Sequence, residues 1–171
     1  GNRVPQFSFE VVRPAQTAAG ARVEELAASI SGICVIPGTG EYSLATTPVH
    51  YQTGPGQNRT ANVNMPTDQT DFALSLEQLT EEMPGVGAAS LVVSWFGDDL
   101  RCGQCTIRPK VEQKTLDGVG MPWRSGGITR AMAEEVPKVG GRSIYGGTPT
   151  DQAVIEAIVA MKAAGKDVTF Y

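Results

Sequence analysis

From Val4 to Val12 the apolar positions Phe7, Phe9 and Val11 alternate with Gln6, Ser8 and Glu10, the two-residue period of a strand. Pro5 marks that strand as an edge or a beginning. From Arg22 to Ser31 the period changes: Val23, Leu26, Ala27 and Ile30 follow helical spacing, and Gly32 is the predicted C-terminal cap. Ile33 to Ile36 reads as a short apolar strand carrying Cys34, and Glu41 to Thr47 as another short strand. Residues 52–70, rich in Gln, Gly, Asn, Thr and Pro, read as a surface loop or a packed excursion, with an assembly contact as the functional alternative.

Asp71 to Glu82 is a predicted helix, with Phe72, Leu76 and Leu79 on one face and Pro84-Gly85 as its stop. Ala88 to Trp95 is nearly continuous in apolar residues, which suits a strand covered on both faces in a parallel sheet. The glycine-rich residues 118–147 are expected to be irregular or made of short strands, with one helical piece from Thr129 to Val136. Thr148 is then the predicted cap of a helix that has Pro149 at its first position and Asp151 in its first turn. That helix runs to Ala164 with Val154, Ile155, Ile158, Val159 and Met161 as its buried side, and Asp167 to Tyr171 is the next strand.

Composition narrows the function classes. The 171 residues carry a net charge of −4 and no basic cluster, which argues against a direct nucleic-acid site. No apolar run is long enough to cross a bilayer. The length allows one ordinary domain or somewhat more. The chain opens on Gly1 and closes on Val168-Thr169-Phe170-Tyr171, inside an apolar strand, so it is expected to be an internal piece of a longer polypeptide.

Candidate chemistry gathers between Trp95 and Cys105. Cys102 and Cys105 have the spacing of half a metal site or of a redox pair. A structural zinc site needs four ligands, and Cys34 and His50 do not form a second half-site. A redox pair of the thioredoxin kind opens a helix, whereas Thr106-Ile107-Arg108-Pro109 reads as extended. Structural, partly buried thiols lead, ahead of a local disulfide and then of a metal or redox role. No cofactor or metal is expected.

Asp98 and Asp99 follow the apolar strand directly, the place where a (β/α)8 barrel carries its binding rim. Glycoside hydrolysis needs two carboxyls facing each other across a bond, and adjacent residues do not provide that. A turn or cap role is the ordinary reading of this pair. Trp95 and Trp123 would stack on sugar rings if they lay on a rim, although a tryptophan that ends an apolar strand, as Trp95 does, is more often core. His50 has no nucleophile pattern around it, and the glycines at 38–40 and 145–151 match no phosphate-loop fingerprint.

The runs SLVVSWFGDDLRCGQCTIRPKVE, MPWRSGGITRA and GRSIYGGTPTDQAVIEAIVAMKAAGKDVTFY resemble the large baseplate, or host-specificity, protein of phage-like gene transfer agents, and GNRVPQFSFEV resembles the stretch that joins the tail-hub part of that protein to its remainder. The resemblance implies an α/β fold. Residues 1–86 would be a mixed hub-flanking strand and helix segment with a long loop, and residues 87–171 the first βα units of an incomplete TIM-barrel-like, glycoside-hydrolase-like domain. Ala88–Trp95 would be the first barrel strand, Pro149–Ala164 a barrel helix and Asp167–Tyr171 the second strand.

The family implies a structural part of the tail-tip baseplate, assembled in the bacterial cytoplasm and released in the particle. Its partners would be other tail-tip proteins, the rest of its own chain, further copies of itself and a host-surface polysaccharide. The alternative is the beginning of a particle-mounted glycosidase. No catalytic residue carries over. On this reading the edges at Leu91–Trp95 and Val168–Tyr171 must pair with each other, with a neighbouring subunit or with further chain.

Overall fold

In a computed structural model, residues 26–37 and 40–171 are described. The expected strand over Val4–Val12 and the first half of the expected helix over Arg22–Ser31 lie outside them. The described residues form α1 (Leu26–Ser29), β1 (Gly32–Val35), β2 (His50–Gly54), β3 (Gln57–Thr60), α2 (Asp71–Glu82) and β4 (Ala88–Leu91). Then comes a series of two-residue strands: β5 (Phe96–Gly97), β6 (Ile107–Arg108), β7 (Lys110–Val111), β8 (Gly118–Val119), β9 (Arg124–Ser125), β10 (Ile128–Thr129), β11 (Glu134–Glu135), β12 (Lys138–Val139) and β13 (Arg142–Ser143). The chain ends on α3 (Asp151–Ala163) and β14 (Asp167–Phe170).

The frame is a parallel sheet in the order β1-β4-β14. Ala88 stands opposite Gly32 on one side and Asp167 on the other, and the register holds through Leu91 opposite Val35 and Phe170. Parallel neighbours need crossovers, and α2 and α3 lie in them. The architecture is mixed α/β with small sheets and no closed barrel among the described residues. The two expected edges pair with each other: β4 lies beside β14, and Tyr171 N–H donates to Leu91 O at 2.9 Å while Val93 N–H donates to Tyr171 O at 3.1 Å.

Several expectations shift. Gly32 does not cap a helix but opens β1, so the sheet gains a strand before Ala88. β1 and β4 are hydrogen-bonded neighbours, and one core draws Leu44 and Phe72 from before residue 87 and Leu91 and Met161 from after it. The strand predicted over Ala88–Trp95 stops at Leu91. Residues 52–70 are partly ordered as the β2–β3 hairpin, turned at Pro55-Gly56. Thr129–Val136 is not helical, because Met132 and Ala133 N–H groups close one turn on Thr129 O and the chain then extends into β11. Residues 118–147 otherwise form short strands, as expected.

The helix over Asp71–Glu82 is as predicted, capped by Thr70, whose Oγ1 accepts from Ala73 N–H at 3.3 Å. The last helix starts two residues later than expected. Thr148 and Pro149 are drawn into the core instead, with Thr148 N–H donating to Lys110 O at 2.8 Å and Lys110 N–H to Thr148 Oγ1 at 3.1 Å. Thr150 becomes the N-cap residue, yet its hydroxyl bonds Arg124 rather than its own helix. The buried face of α3 is Ala153, Val154, Ala157 and Met161, while Ile155 and Val159 face outward. Alanines four residues apart let the helix approach closely, so the small residues rather than the branched ones mark its packed side.

On α3, Glu156 fastens the segment after β1. Its Oε2 accepts from Thr46 and Thr47 N–H, both at 2.9 Å, and its Oε1 accepts from the Thr47 hydroxyl at 3.0 Å. Burial alone would raise this carboxyl, but the bonds from Thr47, Gln152 and Thr46 outweigh it and hold it below the usual glutamate range. A depressed folded value means the stabilisation is present above the unfolded value and is lost as pH falls through the folded one. Glu156→Gln is expected to cost about 1–2 kcal/mol at neutral pH. Urea unfolding across the acid range checks it, since the gap to the natural sequence should close as pH falls.

Candidate functional site

The most highly organised polar group among the described residues was not prominent in the sequence. Turns after β1, with Ser43 N–H on Gly40 O and Ala45 N–H on Tyr42 O, direct Glu41 and Tyr42 into the protein, where both are buried. Arg130, at the end of the β9–β10 hairpin, reaches them from the far side of the sequence. Its guanidinium forks onto Glu41, with Nη2 on Oε2 and Nη1 on Oε1 at 3.2 Å. Its Nε donates to Asp117 Oδ1 at 2.9 Å, and its remaining bonds go to Gln113 O at 2.7 Å and the Tyr42 hydroxyl at 3.1 Å.

Both acids accept further bonds from other directions, Glu41 as a buried carboxylate and Asp117 as a more exposed one. Glu41 Oε1 also accepts Glu112 N–H at 2.7 Å. Asp117 Oδ1 accepts the Tyr42 hydroxyl and the Gly118 and Trp123 N–H groups, each at 2.9 Å. Gly147 passes so close that a Cβ there would stand 2.7 Å from Glu41 Cγ, so only glycine lets the chain cross this carboxylate. Trp123 lies beneath the guanidinium, 5.9 Å from its ring centroid, and its Nε1 donates to Thr148 O at 2.8 Å.

Burial pushes the Glu41 carboxyl above its usual range despite the opposing pull of Arg130. Burial would raise Asp117 as well, but bonds from Trp123 N–H, Arg130, Gly118 N–H and Tyr42 prevail and hold it low. Burial also raises the hydroxyls of Tyr42 and Tyr51, keeping both protonated as donors. A general acid or base needs a titrating atom aimed at a space where substrate fits. Here every buried side-chain nitrogen and oxygen among the described residues has a protein partner. Chemically the cluster is a brace: it ties the turn after β1 to the long excursion between β4 and α3.

The residues singled out from sequence lie elsewhere. Asp98 and Asp99 are not at the end of a parallel strand but in the loop of the β5–β6 hairpin, several residues beyond β4. Asp98 Oδ1 accepts Thr106 N–H at 2.7 Å across the loop neck, and Asp99 pairs with Arg101 at 2.6 Å. Both act as turn residues. Cys102 and Cys105 are free thiols on the same loop, and Cys34 is a free thiol on β1. Among the described residues no group of three or more His, Cys, Asp or Glu is arranged to hold a metal ion.

The two tryptophans separate. Trp123 is 1% exposed, so the expected rim position is corrected: it is core, and it offers no ring face to a ligand. Trp95 is 43% exposed, its ring edge against Gly126, in a groove of about 340 Å³ shared with Ile107, Met132, Arg108 and Glu134. A second pocket, of about 180 Å³, opens beyond β1 and β4 between Pro37, Ser94, Phe96 and Tyr145, with no charged side chain in its lining. His50 opens β2 and pairs with Thr60 and Val119 through the sheet.

No protein-family model matches the chain, and no curated protein matches it. No helix among the described residues is long and apolar enough to cross a membrane.

Proposed function

We propose that this chain is a structural component of the tail-tip baseplate of a phage-like gene transfer agent, supporting attachment to the host cell and delivery of DNA. The observation that carries this reading is the use of the buried Glu41–Arg130 pair. Glu41 and Arg130 satisfy each other and the surrounding backbone, with the more exposed Asp117 holding Arg130 Nε from the edge of the cluster, so this polar site serves rigidity and not turnover. The sequence resemblance to the baseplate protein supplies the particle and the location. Three parallel strands in sequential order are compatible with consecutive units of a TIM-barrel-like domain, in which further strands would add to the outer sides of β1 and β14.

The glycosidase alternative requires two carboxyls facing across a cleft. Asp98 and Asp99 are adjacent and already engaged in their own loop, so nothing in the described residues favours it. The test is made on particles purified from a producing bacterium. Peptides of this chain should be found in the particle by mass spectrometry, with antibody against it decorating the tail tip in electron micrographs. Absence from purified particles, or label on the capsid alone, overturns the proposal.

A further inference from the structure

The loop of the β5–β6 hairpin is fastened at three points. Asp98 bridges its neck to Thr106 N–H, Asp99 Oδ1 accepts Arg101 N–H at 2.8 Å, and Arg101 O accepts both Gln104 N–H at 2.9 Å and Cys105 N–H at 3.0 Å. Those last two bonds wind residues 101–105 into a single helical turn. In such a turn Cα atoms three residues apart are about 5 Å from each other, inside the Cα range that disulfides span, so that a small adjustment of the turn brings the two sulfurs together. Cys102 and Cys105 occupy such a pair of positions. Their exposures differ: Cys102 is open to solvent, while Cys105 is half-buried, with its sulfur 2.8 Å from where a Cβ on Gly97 would be. Together with Asp98, Asp99 and Leu100 the two thiols line one hollow, so a small reagent has access to them.

We propose that Cys102 and Cys105 form a reversible thiol–disulfide exchange site, closed by a small disulfide of the glutathione class. The exposed Cys102, as thiolate, attacks one sulfur of the small disulfide; a mixed disulfide forms and one small thiolate leaves. The Cys105 sulfur, deprotonated in turn, attacks Cys102 and expels the second. The S–S bond of the reagent is broken and one within the protein is made. The reagent takes the two electrons, and the two protons lost by the cysteines are balanced by those gained by its thiols. Closure locks the turn that presents Leu100, which is fully exposed at the tip. This site is independent of the baseplate proposal.

The full chain is incubated with excess oxidised glutathione, quenched with acid, alkylated and mapped by mass spectrometry. The tryptic peptide from Cys102 to Lys110 should lose two hydrogens and resist alkylation, and dithiothreitol should restore both. Cys105→Ser should stop at a glutathione adduct on Cys102. In Cys102→Ser, modification of Cys105 should be slower by about 10-fold or more, in keeping with its burial. A lasting glutathione adduct on Cys102 of the natural sequence overturns the proposal. So does a bond from either residue to Cys34 or to a second chain, and so does full alkylation of both thiols.

Discussion

Arg130→Met is expected to destabilise the protein by about 3–5 kcal/mol, the range seen when one partner of a buried ion pair is removed. The side chain carries five bonds from one buried position, to Glu41, Asp117, Gln113 and Tyr42. Without it the Glu41 carboxylate is left among Tyr42, Tyr51 and Glu112, already raised by burial and losing the group that opposed that rise. Glu41 should then take up a proton. Since its folded value would lie above its unfolded one, the variant should be least disfavoured below the unfolded value and lose stability as pH rises through the folded one. Urea unfolding at several pH values reads both the size of the loss and the sign of that slope. Glu41→Gln combined with Arg130→Met should cost less than the two single changes added together, because each single change strands the other partner.

Trp123→Ala is expected to cost about 3–5 kcal/mol, since it empties a fully packed aromatic site and strips Thr148 O of its donor. Trp95→Ala, at a half-open groove, should cost about 1 kcal/mol or less. A rim role for Trp123 would reverse that order. Intrinsic fluorescence gives an independent check: the emission that remains in Trp95→Phe should be blue-shifted and poorly quenched by iodide, and that of Trp123→Phe the opposite.

The elements that could be read from sequence are those in which one local rule decided the outcome. Asp71–Glu82 has a single apolar face, a capping threonine and a proline stop, and it formed as read. The run from Ala88 was legible as a parallel strand, but its length was not. Strand pairing ends where the partners end, and β1 and β14 are each four residues long. The start of α3 was misplaced because Thr148 has the chemistry of a cap and is used for a bond across the core to Lys110. Ile155 and Val159 misled for a related reason: packing against the sheet selected the small Ala153 and Ala157.

The brace was invisible for a topological reason. Glu41, Asp117 and Arg130 come from three separate turns, and the Arg130–Glu41 bonds join positions 89 residues apart. No short-range spacing marks such a set. A faint signal was available in Gly40-Glu41-Tyr42, an acid between a glycine and an aromatic beside an apolar run, but nothing local distinguishes it from a surface turn. Cys102 and Cys105, by contrast, had a motif, and the structure gave that motif a backbone geometry.

Amide hydrogen exchange in Arg130→Lys tests the bracing role most directly. Lysine keeps the charge but offers no planar fork, so it should not hold Glu41, Asp117 and Gln113 together. The amides of Glu112, Gly118 and Trp123, which donate to the two carboxylates, should exchange faster by about 10- to 100-fold, while those of the β1-β4-β14 sheet keep their protection. Unchanged protection at those three amides, or an equal loss across the sheet and the excursion alike, would contradict the assignment of this cluster as the brace between them.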